Sequence, residues 1–104
     1  MCDTSIIRAD ILKALAQPTR MKIIDFLRNG EQCVCKIFPA IGEAQPNTSR
    51  HLNMMLTSGI LSRRKDGLKI FYAIKHPEVL EISDLATLIM SHEINGRHKM
   101  LKAV

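Results

Sequence analysis

At 104 residues, with 46% hydrophobic and 24% charged side chains, the chain holds enough for one modest core and is predicted to form a single domain over residues 1–104. Its apolar runs are only a few residues long, and the opening MCDTSIIRAD lacks the basic start and apolar stretch of a leader, so a cytoplasmic protein with no membrane partner is expected. The net charge of +5 gathers at Arg63, Arg64, Lys65 and Lys69 and again at Arg97, His98, Lys99 and Lys102, which favours a polyanion over a lipid surface because no strongly basic amphipathic helix accompanies it.

The spacing predicts a first helix from about Thr4 to Ala16, with Ile7, Ile11 and Leu15 on one stripe that Ile6 and Leu12 widen. A stripe that broad on a short terminal helix suits a partner subunit as well as its own core. Gln17-Pro18-Thr19-Arg20 reads as a break and a restart, Pro18 falling where a missing N–H costs nothing. The second helix runs to about Arg28, burying Ile23, Ile24 and Leu27. A third is expected from near Cys33 to Ala40, with Pro39 weakening its last turns and Ile37 and Ile41 turned inward, Phe38 beside them.

Gly42 makes a turn, and a fourth helix is predicted from Pro46 to Ser58, stopped by Gly59. Leu52, Met55 and Leu56 face inward on it, leaving Gln45, Asn47, Ser49, Arg50 and Asn53 outside. Amides, hydroxyls and a guanidinium on one exposed face suit base edges and phosphates. A hairpin should follow, with Leu61 to Arg64 as one strand, Lys65-Asp66-Gly67 as the turn and Leu68 to Ile74 as the other strand. Pro77 opens a last helix to about Ser91, on which Ile82, Leu85, Leu88 and Ile89 form a long apolar ridge with little domain left to cover. The architecture expected is mainly α with a small β-hairpin wing, a winged helix-turn-helix of four helices, two strands and a closing helix, dimeric through its first and last helices. No His–carboxylate or Ser–His arrangement suggests an enzyme.

Several strings, in this order and spacing, resemble the ArsR/SmtB family of metal-sensing winged-helix repressors over roughly residues 6–90. They are Ala14-Leu15-Ala16-Gln17-Pro18-Thr19-Arg20, Cys33-Val34-Cys35, Ser49-Arg50-His51-Leu52, Ser58-Gly59-Ile60-Leu61 and Arg63-Arg64-Lys65-Asp66-Gly67. The resemblance implies a homodimer that binds operator double-stranded DNA and lets go when a metal arrives. It implies DNA contacts from Gln45, Asn47, Thr48, Ser49, Arg50 and His51 on the reading helix and from Arg63, Arg64 and Lys69 on the wing. His51 reads equally as a hydrogen-bonded residue at a helix junction.

Three cysteines, an odd number, argue against a disulfide framework. Cys33-Val34-Cys35 resembles the signature of that family's arsenic, antimony, cadmium and lead sensors, and paired thiolates select soft ions. As(III) or Sb(III) is the expected inducer, with Cd(II) or Pb(II) as alternatives, and no organic cofactor is expected. Were both cysteines on a regular helix, their side chains would point roughly 200° apart. Chelation by both then requires that the helix begin after them or unwind. The resemblance implies a third sulfur; arsenic sensors of this type often carry one where Phe38 stands here, so Cys2 becomes the candidate, reaching across the dimer. A thiol-redox-responsive repressor is the competing reading. The family's alternative metal site on the last helix is not matched by Asp84, His92, Glu93 or His98.

Overall fold

The computed structural model describes residues 3–102, and of 97–102 only the backbone course. Among the described residues the order is α1 (Thr4–Leu15), α2 (Pro18–Phe26), β1 (Gln32–Cys33), α3 (Val34–Ile41), α4 (Gln45–Thr57), β2 (Leu61–Asp66), β3 (Lys69–Ile74) and α5 (Glu78–Lys102). This is the winged helix-turn-helix expected, with one addition. The two-residue strand β1 precedes α3 and makes a three-stranded antiparallel sheet in the order β1-β3-β2. Two residues are too few to show an alternation in sequence, so β1 was legible only through its partner.

Local chemistry sets the boundaries. The Asp3 carboxylate accepts the Ser5 N–H at 2.9 Å to start α1, and the Gln17 amide oxygen accepts the Arg20 N–H at 3.0 Å to start α2, where Pro18 occupies the first turn. Gly42 ends α3 in the left-handed region at φ +76°, a conformation that a side chain would strain. The hairpin turn differs from expectation. Pairing continues through Asp66 opposite Lys69, so the loop is Gly67-Leu68 and not Lys65-Asp66-Gly67. Gly67 has φ +61° while Leu68 has none of the positive φ, the pattern of a type II′ turn, whose twist matches that of the strands it joins.

The core is built from Ile23, Ile24, Leu27, Ile37, Leu52, Met55 and Leu61, with Tyr72 and Val79 closing it. The inward sides expected for α2, α3 and α4 are thus found, except that Phe38, expected beside Ile37 and Ile41, is half-buried and lies outside the core they join. α3 packs against α2, α4 and β3, which places it beneath the reading helix and beside the wing. α5 extends past Ser91 and carries Gly96 within it, and Arg28 clasps Asp84 at 2.8 and 3.1 Å to tie it to the end of α2. The terminal helices leave apolar surface outside: Ile7 is 49% exposed and Ile11 41%, while Leu85 and Ile89 are 59% and 64% exposed. Within the chain only Ala14 and Leu15 of α1 are fully buried.

Candidate nucleic-acid interface and thiol site

α4 begins at Gln45, one residue before the expected start, with no side chain capping its first N–H groups. Gln45, Asn47, Ser49, Arg50 and Asn53 are exposed along its outer side. Thr48 is not. It is fully buried, and its hydroxyl donates to the Ala44 carbonyl at 3.4 Å, because its position falls on the same side of the helix as Leu52 and Met55. It therefore belongs to the helix's packed side and cannot touch a base. Met54, absent from the sequence reading, is 44% exposed on the outer side.

His51 is half-buried, and its Nδ1 accepts from Arg20 Nε at 3.2 Å. Arg20 also donates to the carbonyls of Lys13 and Ala14 at 3.3 and 3.4 Å, so one guanidinium ties the end of α1 to the reading helix. With Nδ1 as acceptor, the neutral ring carries its hydrogen on Nε2. The junction reading of His51 is therefore met, and the ring keeps its one donor, Nε2–H, for another partner. Arg20 lies in a string already singled out, but its partner was invisible without the fold.

On the wing, Arg63, Lys65 and Lys69 are exposed. Arg64 is engaged elsewhere: its Nε and Nη2 donate to the two oxygens of Glu31, the first at 3.2 Å, and its guanidinium lies 4.6 Å from the centre of the Phe71 ring. A second carboxylate, Asp66, stands 3.8 Å from Nη1. Each partner reinforces the others: Arg64 holds the Glu31 carboxyl below its ordinary range, and Glu31 raises the guanidinium further.

Cys33 is not on α3. It stands one residue before it with extended backbone (φ −64°, ψ 141°), paired with Phe71, and its sulfur caps the helix by accepting the Cys35 N–H at 3.4 Å. The opposed geometry expected of two helical cysteines does not arise, because the helix starts at Val34. Cys33 is buried and Cys35 exposed, yet the two are adjacent enough for each to perturb the other's thiol. The Cys35 side chain, its N–H and the charges of Lys69 and Lys36 push the Cys33 thiol down, whereas the Cys33 side chain pushes the Cys35 thiol up. Two adjacent sulfurs, one of them eased toward its anion, make a donor pair for a soft ion. Among the described residues no cluster of three or more His, Cys, Asp or Glu is placed to hold an ion, so a three-sulfur site needs a ligand from elsewhere. Cys2, the candidate, lies outside the described residues.

A family model described as "Bacterial regulatory protein, arsR family" matches residues 17–63. An HTH-type transcriptional regulator of Methanocaldococcus jannaschii, described as uncharacterized, is 44% identical over 74% of this chain and 88% of its own length. A probable mercury resistance operon repressor of Streptomyces lividans is 36% identical over 75% of this chain and 62% of its own. An arsenical resistance operon repressor of Staphylococcus xylosus is 35% identical over 64% of each chain. Among solved structures, a homodimeric winged helix-turn-helix DNA-binding domain of Mycobacterium bovis is 26% identical, with a TM-score of 0.78 over 89% of this chain and 86% of that one. No helix among the described residues is long and apolar enough to cross a membrane.

Proposed function

This chain belongs to the ArsR family of bacterial regulatory proteins, a family of DNA-binding transcriptional regulators and not of enzymes, and from that premise we propose a homodimeric repressor released from operator DNA by a thiophilic metalloid, As(III) or Sb(III). The observation that carries the proposal is the thiol pair itself: Cys33 and Cys35 stand side by side at the start of the helix that packs under the reading helix. Arsenical resistance repressors among the relatives support a metalloid. Gln45, Asn47, Ser49 and Arg50 read the groove, His51 donates from Nε2, and Arg63 and Lys69 meet phosphate. Cys33 and Cys35 supply two sulfurs, and Cys2 supplies the third. α1 and α5 cover each other's apolar ridges across the dimer axis.

Ligation takes the Cys33 sulfur that now caps α3. α3 touches α4 on one side and the wing on the other, so a shift at its first turn alters how both meet DNA. Serine is a good helix cap, so Cys33→Ser keeps the fold while removing the soft ligand. Wild-type protein titrated with a fluorescent operator fragment should lose affinity on adding sodium arsenite; Cys33→Ser and Cys35→Ser should bind DNA and ignore arsenite. Release of either variant by arsenite rules the proposal out.

A second reading, a thiol-redox switch, draws on the same adjacency, since a thiol eased toward its anion beside a second thiol is the more readily oxidised. Peroxide would then release DNA where arsenite does not, with loss of two thiols per chain.

A further inference from the structure

The sheet register brings a thiol and a wing arginine into one row. Cys33 on β1 is paired with Phe71 on β3, and Phe71 with Arg64 on β2, so the three side chains lie in sequence across one face of the sheet. Glu31, two residues before Cys33, reaches along that face and grips Arg64 through both carboxylate oxygens. The Phe71 ring lies under the guanidinium. Glu31 and Arg64 remain about half exposed, at 41% and 52% of the side chain. An ion pair that wet does little for stability, but a two-pronged grip with a ring beneath fixes where the guanidinium points.

We propose that Glu31, Phe71 and Arg64 form the coupling element through which the thiol segment acts on the wing, Arg64 being a positioning residue and not a phosphate ligand. The inference rests on the repressor reading above and deepens it. A change at Cys33 moves β1, which follows directly on Glu31 and has Phe71 as a ladder partner. Both hold Arg64, in the middle of β2, so the strand that presents Arg63 moves with them. Arg63 is paired with Tyr72, on the opposite face from Arg64, and is left exposed for the phosphate backbone.

Two measurements on the full chain test this. In the absence of arsenite, the slope of log affinity against log salt counts neutralised phosphates, and Arg63→Gln, which removes one contact from each protomer of the dimer, should lower it by about 1.8, Arg64→Gln by less than half of that. With sodium arsenite, wild-type affinity should fall by a factor in the roughly 5- to 150-fold range of coupled sites, and Glu31→Gln should cut that factor to about 3-fold or less. Arg64→Lys, which keeps the charge but not the fork, should behave as Glu31→Gln does. An Arg64→Gln slope change equal to that of Arg63→Gln, or a full arsenite response in Glu31→Gln or Arg64→Lys, overturns the proposal. Wild-type protein that binds no DNA or ignores arsenite counts instead against the repressor reading. The coupling is then read in nitrogen-15 spectra of the free protein, where Cys33→Ser should shift the Arg64 Nε–H signal and an unmoved signal overturns it.

Discussion

Two thiols that perturb each other do not titrate as two ordinary cysteines. The bond from Cys35 is the largest cause lowering Cys33, and the same bond is the largest cause raising Cys35. Ultraviolet titration of thiolate should therefore show steps on either side of the usual value near about 8.5, belonging to the pair as a unit. Cys35→Ala removes the side-chain donor beside the Cys33 sulfur, so the lower step should move up; Cys33→Ala should bring the upper step down. Unmoved steps would mean that the sulfurs do not interact. The inducer also leaves a proton signature. Arsenous acid consumes thiol protons in releasing water and leaves no net proton, whereas a divalent cation releases protons to solvent, so cadmium affinity should rise with pH more steeply than arsenite affinity. Thr48 offers a sharper contrast on the reading helix. Because its hydroxyl is turned to the Ala44 carbonyl in the core, Thr48→Val should leave operator affinity close to wild type. Arg50→Ala should cost roughly 1–3 kcal/mol if it reads a base edge. Fluorescence anisotropy on one operator fragment measures both.

At the scale of elements, the parts of the sequence with strong periodicity told their own story. α2 and α4 carry apolar residues at helical spacing between a proline start and a glycine stop, and the structure places them within a residue or two of expectation. What stayed illegible was whatever depended on a partner distant in sequence. β1 is two residues long and exists because Gln32 and Cys33 find Tyr72 and Phe71. Its presence moves the start of α3 past Cys33, which removes the geometric conflict that helical spacing implied for the thiols. Glu31 and Arg64 are likewise far apart in sequence, so charge clustering on the wing made Arg64 look free when the fold had already engaged it. Buried charge-free packing was easier to read. Ile37, on the inward side of α3, is fully buried in the core. Ile37→Ala should cost about 2–5 kcal/mol in denaturant unfolding, the usual loss for an emptied core site. A value below about 1 kcal/mol would show that α3 is not packed as described.

For the molecule as a whole, the unfinished business lies on its two terminal helices. Ile6, Ile7, Ile11 and Leu12 on α1, and Leu85, Leu88, Ile89, Met90 and Ile94 on α5, are each at least 41% exposed in the single chain. A groove between these helices, lined by Ile11, Ile60, Val79 and Ile82, continues the same apolar surface inward. A monomer this small seldom leaves so much contiguous apolar surface in water. On the proposed dimer, pairing two copies through these helices would bury it and set two reading helices on one duplex, as two-fold symmetric operators require. The second reader then binds at an effective concentration set by the dimer, and losing it should cost about 10²-fold or more in affinity. Ile89→Glu tests this cleanly. The side chain is 64% exposed, so a charge there spares the chain's own core while placing two carboxylates at the proposed interface. Sedimentation velocity should show a monomer, circular dichroism an intact fold near the midrange of pH, and anisotropy the loss of operator affinity. A variant that stays dimeric, or a monomer that binds the operator as tightly as the wild type, would mean that the ridge on α5 serves some other purpose.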